Sequence, residues 1–169
     1  MVHRFTTSFQ HTLGNSISEL IIDWLGKDHG LEINIDTKPP LNWSGRPDIW
    51  ISRENGPYTS ILSLEIEHFS GHQQATKNID KAVDWTKSNR IHRASVIHLV
   101  NLECRLTDSK CTDLFTYGYQ NRSKRFGYDF RVYETLDQRA SRKLAEDLCS
   151  KYDFNSLLRQ HLRFLKLVK

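Results

Sequence analysis

The chain reads as an α/β domain with the element order αβββαβ, a mixed central sheet flanked by helices, and a helical C-terminal extension. Three observations carry that reading. Residues 31–35, 47–53 and 60–69 are short apolar or alternating runs separated by turn signals, as strands require. Residues 72–88 place apolar side chains at helical spacing. Residues 94–100, Ala-Ser-Val-Ile-His-Leu-Val, then form the near-continuous apolar run expected of a central strand reached by a crossover helix.

Taken in order, Ser16 is placed to cap a first helix, because Ile17, Leu20, Ile21, Trp24 and Leu25 recur at helical spacing after it. Gly26 or Gly30 can end that helix. Leu31, Ile33 and Ile35 alternate with Glu32, Asn34 and Asp36, a half-buried strand stopped by Pro39-Pro40. Glu54-Asn55-Gly56-Pro57 is a turn signal between the second and third strands, which predicts an antiparallel meander. Ser70-Gly71 breaks the third strand. In the next helix Ala75, Ile79, Ala82, Val83 and Thr86 form the buried stripe, edged by Gln73, Gln74, Lys77, Asn78 and Lys81.

Residues 110–122 fit no single pattern, and Tyr128 to Tyr133 reads as another strand. Asp137 can cap a helical tail whose Leu144, Leu148, Leu157, Leu158, Leu162 and Leu165 supply an apolar face. Such a stripe is expected to be core rather than a dimer seam, and without strict heptads no coiled coil is predicted.

The 169 residues suit one domain, with a core at about 16–101 and a C-terminal strand and helices at about 102–169. Hydrophobic residues at 38% and charged residues at 26% fit a folded soluble chain rather than a disordered one. The net charge of +4 suits approach to a polyanion. Cys104, Cys111 and Cys149 are odd in number and lack CxxC spacing, so neither a disulfide framework nor a zinc ribbon is indicated. His98 could join Cys104 and Cys111 at a metal only on paper; half-buried thiols are the expectation. The N-terminus lacks a signal-peptide run and no stretch approaches a membrane span, which predicts a cytoplasmic protein with no membrane partner.

The chemistry lies in Arg46-Pro47-Asp48-Ile49-Trp50-Ile51 and Ile61-Leu62-Ser63-Leu64-Glu65-Ile66-Glu67-His68. Three carboxylates fall in segments that otherwise read as buried strands, and such charges are rarely buried without a pair or a metal. Glu65 and Glu67 alternate with Leu64 and Ile66 and so share one face; if the Asp48 strand is their neighbour, all three acids converge. Converged acids call for a hard divalent cation, Mg²⁺ or Mn²⁺, and point to phosphodiester chemistry.

This pattern, Pro47-Asp48 opening one strand and Glu65-Ile66-Glu67 in the next, resembles the PD-(D/E)XK superfamily of restriction-endonuclease-like nucleases over about residues 16–101. The resemblance implies a restriction-endonuclease-like fold, DNA as partner, and Asp48 and Glu65 as metal ligands with the Ile66 carbonyl assisting. Glu67 stands where the family usually has Lys. By analogy with superfamily enzymes that carry Glu there, it becomes a further ligand or the base for the attacking water. Lys77 or Lys81 would then supply the displaced ammonium. Glu19 matches an additional acid on the first helix that supports the metal, and Gln73 or Gln74 matches a glutamine that touches DNA or the metal shell.

Arg46 and Lys38, on the loop before Pro47, have the donor chemistry for phosphate, and His68 and His72 could donate to one. Basic residues of the tail, among them Arg139, Arg142, Lys143, Arg159, Arg163 and Lys166, could track a duplex backbone or form a solvated helix face. The leading expectation is a Mg²⁺-dependent deoxyribonuclease, an endonuclease, acting as a homodimer or within a larger complex. The alternative is a catalytically degenerate nuclease-fold module that binds nucleic acid or protein, or a subunit of a restriction or transposition complex.

Overall fold

Strands that are apolar on both faces demand a helical layer on each side, and the chain builds both. The computed structural model describes residues 2–39, 43–54, 56, 58–67, 72–88, 91–101, 108–133, 148–150 and 152–169. Helix α1 (Val2–Leu25) leads into β1 (Leu31–Ile35), β2 (Ile49–Arg53) and β3 (Ser60–Glu67). Helix α2 (His72–Lys87), β4 (Arg93–Asn101), α3 (Asp108–Gln120), β5 (Phe126–Tyr133) and α4 (Tyr152–Phe164) follow.

The sheet order is β1-β2-β3-β4-β5. β1, β2 and β3 form the expected antiparallel meander. α2 then carries the chain across so that β4 lies parallel to β3 and β5 parallel to β4. The fold is therefore α/β, with a mixed five-stranded sheet and β4 inside it.

One face packs Ile49, Ile51, Leu62, Leu64, Ile97 and Leu99 against α1 and the leucines of the C-terminal segment. Leu148, Leu157, Leu158, Leu162 and Leu165 are all buried there, so the tail is core. Asp137 and Leu144 lie outside the described residues. The other face packs Trp50, Ile61, Ala94, Val96, Phe126 and Tyr128 under α2, with Ala75, Ile79, Ala82 and Trp85. Trp43 meets Trp85 edge to face at 5.5 Å.

Two readings change. Ser16 does not start α1, which runs from Val2; Ser16 lies inside it. Phe9, Leu13, Ile17 and Ile21 are all fully buried and spaced four residues apart, so the apolar row extends well before the supposed cap. Residues 110–122 resolve largely as α3, with Leu114 buried against the α2 layer. Gly26 ends α1 at φ 83°, a left-handed terminus that glycine adopts without steric cost.

Candidate functional site

The β2–β3 register pairs Ile49 with Leu64, and one step further places Asp48 opposite Glu65. Asp48 thus stands where the ladder gives out, and its carboxylate replaces the missing backbone acceptor: Oδ2 takes the Ile66 N–H at 2.6 Å. Because N–H and C=O of one strand residue point to the same side, the Ile66 carbonyl also faces Asp48. Oδ1 accepts a hydrogen bond from the Gln10 amide of α1. The Asp48 carbonyl accepts the N–H of Asp36, whose φ of 47° turns the chain out of β1.

Glu65 and Glu67 project from β3 toward the α2 layer, on the same face as Ile61. They are only 6% and 3% exposed. Ser63 donates to Glu65 Oε1 at 2.5 Å. Asn78 of α2 donates to Glu67 Oε1 at 3.2 Å, and Lys81, one turn on, donates to the Asn78 Oδ1 at 3.4 Å. Gly45 makes room for that ammonium: its φ is 97°, and a Cβ there would lie 2.8 Å from Lys81 Nζ.

Electrostatically the cluster is strained. Burial, the Asp48 charge and the Glu67 charge hold Glu65 well above the usual carboxylate range, against relief from Ser63 and Lys81. Burial, opposed by the Ile66 hydrogen bond, pushes Asp48 up to about 6. Burial and then Asp48 push Glu67 up to about 7. His98 of β4, paired with Glu65 in the register, is fully buried and pushed down to about 3 by burial, hence neutral. Its Nδ1 lies 3.0 Å from the Tyr128 hydroxyl. Burial holds that hydroxyl in its protonated form. Among the described residues Nε2 has no hydrogen-bond partner, with Glu67 Oε1 3.6 Å away.

The structure therefore brings together Asp48, Glu65, Ile66, Glu67 and Lys81. It does not bring in Glu19, which is exposed on α1 and whose charge acts on Cys149. Gln10 is the α1 residue that reaches Asp48, nine positions earlier and about 14 Å along the helix axis. Lys77 is exposed, and Lys81 is the ammonium that faces the acids. Arg46, Gln73 and Gln74 are exposed, the first two residues before Asp48 and the others in the first turn of α2. Lys38 is also exposed; His68 lies outside the described residues.

Sequence reasoning missed Gln10, and gave Asn78 and the His98–Tyr128 pair no part in the site. Gln10 follows Phe9 in the four-residue row, a signal that was present. Asn78 and His98 are picked out only by the packing of α2 and β4 on β3. No thiol joins the site among the described residues: Cys111 is half-buried, Cys149 is buried with its thiol pushed up to about 12 by burial, and Cys104 lies outside them.

The donor set is all oxygen, suited to a hard cation, and the raised carboxylates are what a nearby positive charge would relieve. Among the described residues no three His, Cys, Asp or Glu side chains already stand as a metal-ligating group. Asp48 and Glu65 would hold a cation by exchanging their Gln10 and Ser63 hydrogen bonds for it.

A second buried polar cluster lies on the opposite face. Ser95 Oγ of β4 is hydrogen-bonded to His161 Nδ1, and His161 Nε2 lies 2.9 Å from Asp129 Oδ2, to which it donates. Tyr119 adds a donor to Asp129 Oδ1 at 2.9 Å. A Cβ at Gly127 would lie 2.5 Å from Ser95 Oγ, so glycine is what lets β5 pass this close. Burial pushes Asp129 up, but the His161 hydrogen bond and charge outweigh it and hold the carboxyl below its ordinary value.

No family model matches the chain, and no curated protein matches it in sequence. No helix among the described residues is long and apolar enough to cross a membrane.

Proposed function

We propose that the chain is a divalent-metal-dependent nuclease of the PD-(D/E)XK type, with a restriction-endonuclease-like fold, that hydrolyses phosphodiester bonds of DNA as an endonuclease. The observation that carries this reading is the convergence of Asp48, Glu65 and Glu67 at the end of the β2–β3 pair, faced by Lys81. Burial raises all three acids, and the Asp48 charge raises both buried glutamates further, which destabilises the chain in the absence of a cation, a cost that a catalytic metal site explains. The strand–strand–helix–strand order around them supports the same family.

In this reading Asp48 and Glu65, with the Ile66 carbonyl on the Asp48 side of β3, hold the cation. A bound Mg²⁺ or Mn²⁺ supplies acidification of a water and polarisation of the phosphoryl oxygen. Glu67 takes the proton of the attacking water. Asn78 orients the Glu67 carboxylate, and Nε2 of the neutral His98 lies 3.6 Å from it. Lys81 supplies the positive charge that the family usually places at residue 67, offsetting charge that builds on the phosphate. Arg46, Gln73 and Gln74 border the site on exposed segments and engage the DNA backbone.

A second reading has one observation in its favour: Asp48 already has both oxygens hydrogen-bonded within the chain. A nuclease-fold module that binds nucleic acid without cutting it would keep those bonds.

Wild type and Glu65→Ala incubated with supercoiled plasmid, linear duplex and single-stranded DNA, in Mg²⁺, Mn²⁺ or EDTA, separate the two. The nuclease reading expects metal-dependent nicking or linearisation of plasmid by wild type alone. Binding without cleavage in either metal, unchanged in Glu65→Ala, would replace it with the binding module.

A further inference from the structure

The strands that carry the acids at one end carry cations at the other. The end of β2, the starts of β3 and β4 and the turn after α4 enclose a cavity of about 310 Å³, lined by Arg53, Thr59, Ser60, His92, Arg93 and Lys166 together with two leucines. Along β3, Glu65 lies five positions after Ser60, about 17 Å away, so this cavity is distinct from the acid cluster.

Three features make it a built site. First, among the described residues no carboxylate side chain lines it, and the side chains of Arg53, His92 and Lys166 have no ion-pair or hydrogen-bond partner there. Second, its cations are positioned. Arg93 donates through Nη1 to the Phe164 carbonyl and stacks 5.2 Å over the Phe164 ring, which anchors the guanidinium at the rim. The Arg53 stem lies along the following turn, where a Cβ at Gly56 would come within 3.1 Å of its Cγ and Cδ.

Third, the turn after α4 places a lysine where glycine is the usual residue. Leu167 N–H reaches back to the Leu162 carbonyl and Lys166 N–H to the Arg163 carbonyl, both at 2.9 Å, the hydrogen-bond pattern of a helix C-cap. Lys166 occupies the left-handed position at φ 58°, which strains any residue with a Cβ. Dipole compensation at the α4 C-terminus accounts for one cation there, but the carbonyls of that turn are already taken by the cap and by Arg93.

We propose that this cavity binds a phosphate monoester, carried by a free nucleotide or by the 5′ end of a nucleic-acid strand. The free guanidinium fork of Arg53, the remaining donors of Arg93, an ammonium, an imidazole and two hydroxyls exceed what one carboxylate would satisfy and match the three terminal oxygens of a dianionic phosphate. The cavity is also large enough to hold more than the phosphate itself. It rests on its own geometry and does not need the nuclease reading.

The test is calorimetric titration of the full chain in EDTA, so that no cleavage is involved, with AMP, adenosine, inorganic phosphate, and one oligonucleotide bearing either a 5′-phosphate or a 5′-hydroxyl. AMP or the phosphorylated oligonucleotide is expected to bind saturably, and adenosine and the hydroxyl form are not. Arg53→Ala should weaken binding about tenfold. Lys166→Gly should weaken it severalfold while leaving the melting temperature unchanged or higher, because glycine adopts that φ freely. Binding of AMP but not the oligonucleotide assigns a free nucleotide, and the reverse assigns a strand end; either supports the site. Absence of saturable binding by every phosphate, or equal binding by both variants and wild type, would overturn it and leave the nuclease assay untouched.

Discussion

Two buried polar clusters sit on opposite faces of one sheet, and they solve the same problem differently. Around Asp129, each group meets a complement: Ser95 pairs with His161, His161 donates to Asp129, and Tyr119 donates to Asp129 again. Its carboxyl is held below the ordinary value. Around Glu65, carboxylates meet carboxylates, and all three are held above it. The self-satisfied cluster ties α4 to β4 and β5. The frustrated one is held only at an energetic cost, which a cation in the proposed site would relieve.

The largest expected effect lies in activity. Asp48→Asn keeps an acceptor for the Ile66 N–H but removes the charge that would hold metal. Cleavage should fall about a thousandfold, measured as single-turnover plasmid nicking, while thermal stability at pH 8 stays level or rises. Loss of activity together with stability would show the acids to be structural, like the Asp129 cluster.

His161→Ala should do the opposite. It leaves Ser95 and Asp129 buried without their shared partner and should cost about 3 kcal/mol in denaturant unfolding. Nicking under conditions where the variant is folded should be unchanged.

The clusters also pull pH dependence in opposite directions. An acid raised in the folded state holds a proton that the unfolded chain has released. Glu67 therefore contributes a loss of about 3 kcal/mol as pH rises from about 4.5 to about 7, in the absence of metal. Asp129, held low, contributes stability that is present above the unfolded value of about 4 and lost as pH falls below it. Thermal melts of wild type in EDTA should thus peak between these windows, and Glu67→Gln should flatten the neutral side. Mg²⁺ should raise the melting temperature more at pH 7.5 than at pH 5.5; an equal shift at both would argue against metal at the acids.

The smallest contrast is between two lysines one turn apart. Lys81→Ala should slow nicking about tenfold, because its ammonium faces Glu65 and Glu67, whereas exposed Lys77→Ala should leave the rate within about twofold. Equal effects would return both to the role of general phosphate contacts.

Much of this was legible in the chain. Alternation in residues 31–35 and 60–67 and the turn at Glu54–Pro57 foretold the meander, and the apolar run at 94–100 foretold an inner strand. Asp48, Glu65 and Glu67 stood out because charges interrupt apolar strands there. The start of α1 was obscured by its Thr, Asn and Gly content and by Ser16, which imitates a cap. The family pattern points to Glu19, which is exposed, and by itself does not choose between Lys77 and Lys81.

Local periodicity and the cost of burying charge are properties of short stretches, and so the sequence by itself determined the strands, α2 and the three acids. Which side chains complete the cluster depends on how α1, α2 and β4 dock on β3, through contacts far apart in the chain: Gln10 with Asp48, Asn78 with Glu67, Tyr128 with His98. The cations around Arg53 and Lys166 likewise become one cavity only when the turn after α4 folds back over the ends of β2, β3 and β4. Proximity of that kind is set by packing, and only the tertiary structure decides it.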